Sequence, residues 1–89
     1  MSIERQFRLA LSKDALKYYQ KLDASVAARL DQCFKTLEED PFSGGDIKPL
    51  KGMKGRYRYR VGKLRVIYGV DLEERIVKVF VILPRGEVY

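Results

Sequence analysis

Arg56-Tyr57-Arg58-Tyr59-Arg60-Val61-Gly62-Lys63-Leu64-Arg65-Val66-Ile67-Tyr68 is the stretch that decides the fold. Two alternating runs flank Gly62-Lys63, and a glycine leading a two-residue connection predicts a type II′ β-hairpin. So short a turn fixes the register. Val61 falls opposite Leu64, Arg60 opposite Arg65, Tyr59 opposite Val66 and Arg58 opposite Ile67. Successive side chains point to opposite faces of a strand. Tyr57, Tyr59 and Val61 therefore share one face, and Arg56, Arg58 and Arg60 share the other with Arg65. Like charges on direct cross-strand neighbours destabilise a sheet, yet Arg60 faces Arg65 and no acidic residue occurs between positions 48 and 65. A fully wet edge would screen that repulsion to about a few tenths of a kcal/mol. A phosphate bound between the arginines would turn it to use, because the planar guanidinium fork matches phosphate oxygens two at a time. A local rule broken without visible compensation marks a candidate functional site.

C-terminal to the hairpin, Ile76 to Leu83 is a Val/Ile-rich run in which only Lys78 is charged. It predicts a central strand covered on both faces. N-terminal to it, residues 42–55 hold four glycines and one proline and predict a long loop. Before that loop, Val26, Leu30, Cys33, Phe34 and Leu37 form the apolar stripe of a helix that Pro41 stops. A shorter helix precedes it, with Ser12 as N-cap, Asp14 in the first turn and Ala15, Tyr18, Tyr19 and Leu22 on one face. The Asp23-Ala24-Ser25 break makes the pair a helical hairpin. The chain opens with period-two alternation, Ile3, Arg5, Phe7, Leu9 and Leu11 on one side, which predicts a strand. The expected fold is α+β, in the order β-α-α-β-β-β. A helical hairpin packs on one face of a mainly antiparallel four-stranded sheet, within a single domain spanning 1–89. The hairpin tyrosines face the helices as core or rim residues.

Composition narrows the function. Eighty-nine residues allow one domain, and no apolar run approaches the roughly 18 residues of a membrane span. The N-terminal stretch lacks a signal peptide's apolar region, and a single cysteine suits a reducing compartment, so a cytoplasmic protein is expected. The chain has no histidine, which excludes His-dependent zinc sites and His-based triads. Residues 1–44 carry 7 basic and 7 acidic side chains, and residues 45–89 carry 11 and 5, so the whole net charge of +6 lies in the second half. Such a one-sided field attracts polyanions or acidic protein surfaces. The tail Pro84-Arg85-Gly86-Glu87-Val88-Tyr89 adds an arginine able to lean over the same sheet face and a ring able to stack on a base.

Leu50-Lys51-Gly52-Met53, Tyr57-Arg58-Tyr59-Arg60, Lys63-Leu64-Arg65-Val66-Ile67-Tyr68 and Arg85-Gly86-Glu87-Val88-Tyr89 together resemble the RelE/ParE superfamily of type II toxin-antitoxin toxins, most closely its RelE branch. The resemblance covers nearly the whole chain. It implies a metal-independent endoribonuclease, without cofactor, that cuts mRNA in the ribosomal A site and arrests translation until a RelB-like antitoxin neutralises it. The implied catalytic positions are Arg58, Arg60, Arg65, Arg85 and Tyr89. The first two are lysine in the best-known members. Arginine is never deprotonated, so here those two serve to stabilise charge rather than to act as bases. Arg85 would assist the leaving group, and Tyr89 would orient the base or accept the 2′-proton. Lys48, Lys51, Lys54, Arg56 and Lys63 are expected to contact RNA backbone. Partners implied are the antitoxin, the ribosome and mRNA, with DNA engaged only through the antitoxin and no membrane. Two other readings stand beside this one: a ParE-like DNA gyrase inhibitor, and a non-catalytic module that only binds RNA or its antitoxin.

Overall fold

The computed structural model describes residues 6–84. The elements run β1 (Arg8–Leu11), α1 (Lys13–Gln20), α2 (Ala24–Glu39), β2 (Ile47–Pro49), β3 (Arg56–Val61), β4 (Leu64–Asp71) and β5 (Ile76–Pro84). They form one five-stranded sheet in the order β1-β5-β4-β3-β2, antiparallel throughout except where β1 runs parallel to β5. Both helices lie on one face. The α+β class and element order match the sequence reading, but the sheet has five strands rather than four. The extra one is β2, inside the stretch expected to be loop. It is three residues long and pairs with β3 at the sheet edge, Lys48 opposite Arg58.

α1 starts where the sequence predicts, whereas α2 starts at Ala24, inside the stretch expected to be the break. Ser12 caps α1, its hydroxyl accepting from the Ala15 N–H at 3.0 Å. Asp23 caps α2, accepting from the Val26 N–H at 3.0 Å and the Ser25 hydroxyl at 2.9 Å. The Val26 bond is the main reason its carboxyl titrates below the usual range. Leu30, Cys33 and Leu37 from α2 and Ala15 from α1 bury against Val66, Tyr68, Val77, Val79 and Ile82 of the sheet. Tyr57, Tyr59 and Val61 pack at the margin of this core, on the helix side as expected. Tyr68 is fully buried and its hydroxyl donates to the Pro41 carbonyl at 2.6 Å, joining the end of α2 to the middle of β4.

β5 is central but is covered on one face only. Val77, Val79 and Ile82 are buried against the helices, whereas Lys78 is exposed and Phe80, Val81 and Leu83 are partly so. A β-bulge causes the change of phase. Ile67 pairs with Val81 and Tyr68 with Val79, so Phe80 has no partner in β4. Its carbonyl accepts from the Ser12 hydroxyl at 2.6 Å, which fastens the start of α1 to the bulge. At the other end of β5, Arg75 closes the turn from β4 in a left-handed conformation (φ 56°). Its guanidinium donates to Gln6 at 2.9 and 2.8 Å and holds the approach to β1.

Candidate nucleic-acid interface

The hairpin has the register deduced from its turn, from Val61 opposite Leu64 to Arg58 opposite Ile67. Gly62 has φ +56°, and among the described residues the only non-glycine with positive φ is Arg75. Lys63 is therefore on the negative side and the turn is of the II′ kind. The pairings lay three cross-strand rows on the face away from the helices. Arg60, Arg65 and Leu83 form the row nearest the turn, followed by Lys48, Arg58, Ile67 and Val81, then Arg56, Gly69 and Lys78. Successive rows lie two residues apart along a strand, about 6.6 Å.

Two features show that this is more than a wet edge with scattered charge. Ile67 is 1% exposed although it lies on the face without helices. Arg58 is directly opposite it and Arg65 two residues earlier on the same strand, positions from which their aliphatic stems can cover it. The Nε atoms of Arg58 and Arg65 are buried, and neither has a hydrogen-bond partner among the described residues. Buried donors without partners are costly in a native protein and call for an explanation. Here two of them belong to fixed positive charges on neighbouring rows of one face.

Arg60 differs. Its Nη2 lies 3.3 Å from the Asp46 carboxylate, with both side chains about half exposed. Asp46 stands just outside the acid-free stretch, so the sequence hides the one ion pair the arginine cluster makes among the described residues. It relieves Arg60, and no other described carboxylate pairs with Arg58 or Arg65. The other basic residues divide. Lys48 joins the face through β2, as a strand residue rather than the loop residue expected, and Arg56 joins it through β3. Lys51 and Lys54 are exposed in the connection between those strands. Lys63 sits at the hairpin tip beside Leu22, Val26 and Arg29, lining a cleft of about 520 Å³ on the helix side. It is not part of the arginine face. Lys78 is on the face and was not anticipated, because its place opposite Gly69 depends on the bulge at Phe80. Arg85 and Tyr89 lie outside the described residues.

Among the described residues the carboxylates beside this face are Asp46, held by Arg60, Asp71, held by Lys78 and the Glu74 N–H, and the exposed Glu73. Burial pushes the Cys33 thiol up to about 12, and burial likewise raises the Tyr59 and Tyr68 hydroxyls. All three belong to the helix side. What the described face supplies is positive charge and N–H donors in fixed positions.

Among the described residues, then, the chain is a small basic α+β domain whose sheet is backed by two helices on one face and carries crowded arginines on the other. A family model described as the ParE toxin of the type II toxin-antitoxin system parDE matches residues 9–89, and the chain belongs to the RelE/ParE superfamily of toxin-antitoxin toxins. A Methanocaldococcus jannaschii protein that carries the name toxin RelE1, by assignment, is 34% identical over 86 residues, covering 94% of this chain and 96% of its own. A chain of the archaeal RelE-RelB complex from Pyrococcus horikoshii OT3 superposes with a TM-score of 0.81 at 29% identity, over 93% of this chain and 99% of that one. A chain of the intact Escherichia coli RelBE toxin-antitoxin complex gives 0.77 at 25% identity, over 92% and 99%.

Proposed function

We propose that this toxin is an endoribonuclease that cleaves mRNA on the ribosome without a metal, and that a RelB-like antitoxin silences it by covering the arginine face. The observation that carries the reading is the pair of buried, partnerless Nε donors on Arg58 and Arg65. Attack of a ribose 2′-oxygen on the adjacent phosphorus builds negative charge on the phosphorane oxygens. Guanidinium groups held in place by buried Nε atoms need little reorganisation when that charge appears, and one preorganised donor contributes about 3–4 kcal/mol to lowering a barrier. Arg60 adds charge from the same row. The 2′-oxygen loses its proton, the P–O5′ bond breaks, and the 5′-oxygen gains a proton, leaving a 2′,3′-cyclic phosphate and a 5′-hydroxyl. Arginine keeps its proton at neutral pH, so Tyr89 is the assigned acceptor of the 2′-proton, while Arg85 hydrogen-bonds the departing 5′-oxygen and water supplies its proton. The ribosome holds the RNA in line for attack. Lys48, Lys51 and Lys54 contact ribosomal or messenger backbone, a salt-sensitive contribution.

Primer extension on a translated reporter mRNA, in cells expressing the wild-type or the Arg65→Ala chain, tests this. Discrete cuts within codons are expected for the wild type, falling about 10²–10³-fold in rate for the variant. Undiminished cutting by Arg65→Ala would end the catalytic assignment. The ParE description of the matching family model keeps a second reading in view, inhibition of DNA gyrase. Gyrase inhibition without mRNA cutting would select it.

A further inference from the structure

At the far end of the arginine face from the hairpin turn, the Arg56 Cζ lies over the Phe80 ring, 3.8 Å from its centroid. The stack is built into the sheet. Phe80 is the bulged residue of β5, released from pairing and turned onto the open face. Gly69 lies beneath, and a Cβ there would come within 3.0 Å of Phe80 Cε2 and 3.2 Å of Arg56 Nη1. Arg56 has neither a salt bridge nor a hydrogen bond from its side chain among the described residues. It borders an open cleft of about 660 Å³, lined also by Gly69, Asp71, Glu73, Lys78 and Phe80. Asp71 is engaged with the Glu74 N–H at 3.0 Å and with Lys78 at 3.8 Å. Glu73 is exposed.

A cleft that mixes a carboxylate with a flat cationic plate is poorly suited to a phosphate, which Glu73 would repel. It suits a nucleobase. A planar π-system stacks on a guanidinium plane as it does on an aromatic ring, and a carboxylate accepts from the amino groups that cytosine, adenine and guanine carry. We propose that the Arg56–Phe80 stack is a base-binding subsite. It would hold a nucleotide that flanks the phosphate gripped by Arg58, Arg60 and Arg65, with Glu73 favouring amino-bearing bases over uracil. Phe80 fixes the guanidinium in the stacking orientation, so little side-chain entropy is lost on binding. This inference rests on the single-stranded RNA substrate proposed above and adds where, and by what chemistry, bases are chosen.

The test is fluorescence anisotropy with the full chain and a short 2′-O-methyl RNA, which cannot be cleaved, together with versions carrying one abasic residue stepped along the strand. One abasic position is expected to weaken wild-type binding about tenfold. Arg56→Lys keeps the charge and loses the plane. It should lose about as much on intact RNA and nothing further on the abasic strand. Phe80→Leu should reproduce that pattern, and Glu73→Gln should reorder preference among bases at that position alone. Circular dichroism checks that each variant is folded. Wild-type affinity for Arg56→Lys, an equal loss on abasic and intact RNA, or no RNA binding by the wild type would each overturn the subsite. Failure of the nuclease reading is recognised separately. In that case the wild type shows the abasic pattern yet leaves translated mRNA uncut, whereas cutting without any abasic effect removes the subsite alone.

Discussion

Replacing Arg65 by threonine should make this protein more stable and less active at once. Three contributions set the size of the stability change. Removing the buried, partnerless Nε of Arg65 relieves about 1–3 kcal/mol of unrecovered desolvation. Removing one of two opposed cations, Arg60 against Arg65, relieves about 0.2–1 kcal/mol. Against these stands the loss of the arginine stem over Ile67, which is 1% exposed in the wild type. Uncovering an area equivalent to one or two methylenes costs about 1–1.5 kcal/mol. Threonine suits the β-strand backbone, so no propensity penalty enters. The net is a stabilisation of about 1 kcal/mol, which raises the melting temperature of a domain this size by about 4–8 °C. Thermal melts followed by circular dichroism at low and high salt measure it. The wild type should gain more from added salt than the variant, because salt screens the repulsion the variant has lost. A variant that melts below the wild type at low salt refutes the claim that the arginine face is held at a cost to stability.

Two further outcomes follow from other parts of the fold. Gly69→Ala places a methyl group 3.0 Å from Phe80 Cε2 and 3.3 Å from the Gly55 carbonyl oxygen, which is backbone and cannot swing away. Urea unfolding should show a loss of about 1–3 kcal/mol. Cys33 is 3% exposed, and burial raises its thiol from 9.0 to about 12. The folded state thus keeps a proton that the unfolded chain releases above pH 9. The stabilisation is complete below that pH and falls as pH rises toward 12, by up to about 1.4 kcal/mol per unit. Between pH 9 and 10 the urea midpoint of the wild type should fall more steeply than that of Cys33→Ala, and parallel slopes would show that the thiol is not the group responsible.

The hairpin was legible because a two-residue turn leaves no freedom. Once Gly62-Lys63 is read as the turn, Arg60 against Arg65 follows without knowledge of the rest of the chain. The helices were legible from their apolar stripes, and the first also from its Ser12 cap. β2 was not, because three residues beside glycines and a proline carry no periodicity, and only the free edge of β3 makes them a strand. The same non-local pairing converts Lys48 from a loop residue into a neighbour of Arg58. Asp46 was missed for a related reason. It is 14 positions from Arg60 in the chain and reaches it only because β2 folds back. Lys78 and Phe80 required the bulge, and no local signal in Ile76 to Leu83 announces a change of phase. That run read as covered on both faces because its open-face members, Phe80, Val81 and Leu83, are as apolar as its buried ones.

The place of β5 has a consequence for how the chain folds during synthesis. β5 lies between β1 and β4 in the sheet, yet it is translated after every other described strand. Ser12 and Phe80, which hydrogen-bond to each other, are 68 positions apart. At about 5–20 residues per second, β1 leaves the peptidyl-transferase centre roughly 3–14 s before the strand it must pair with exists. Until then Leu9 and Leu11 lack the strand beside which they pack, and the third row of the basic face lacks Lys78 and Phe80. Pairings so distant in sequence slow closure of the sheet. A chain stopped before residue 76 carries the arginines of β3 and β4 but lacks Leu83, Val81 and Lys78, the β5 members of the three rows, so the basic face is completed only at the end of synthesis.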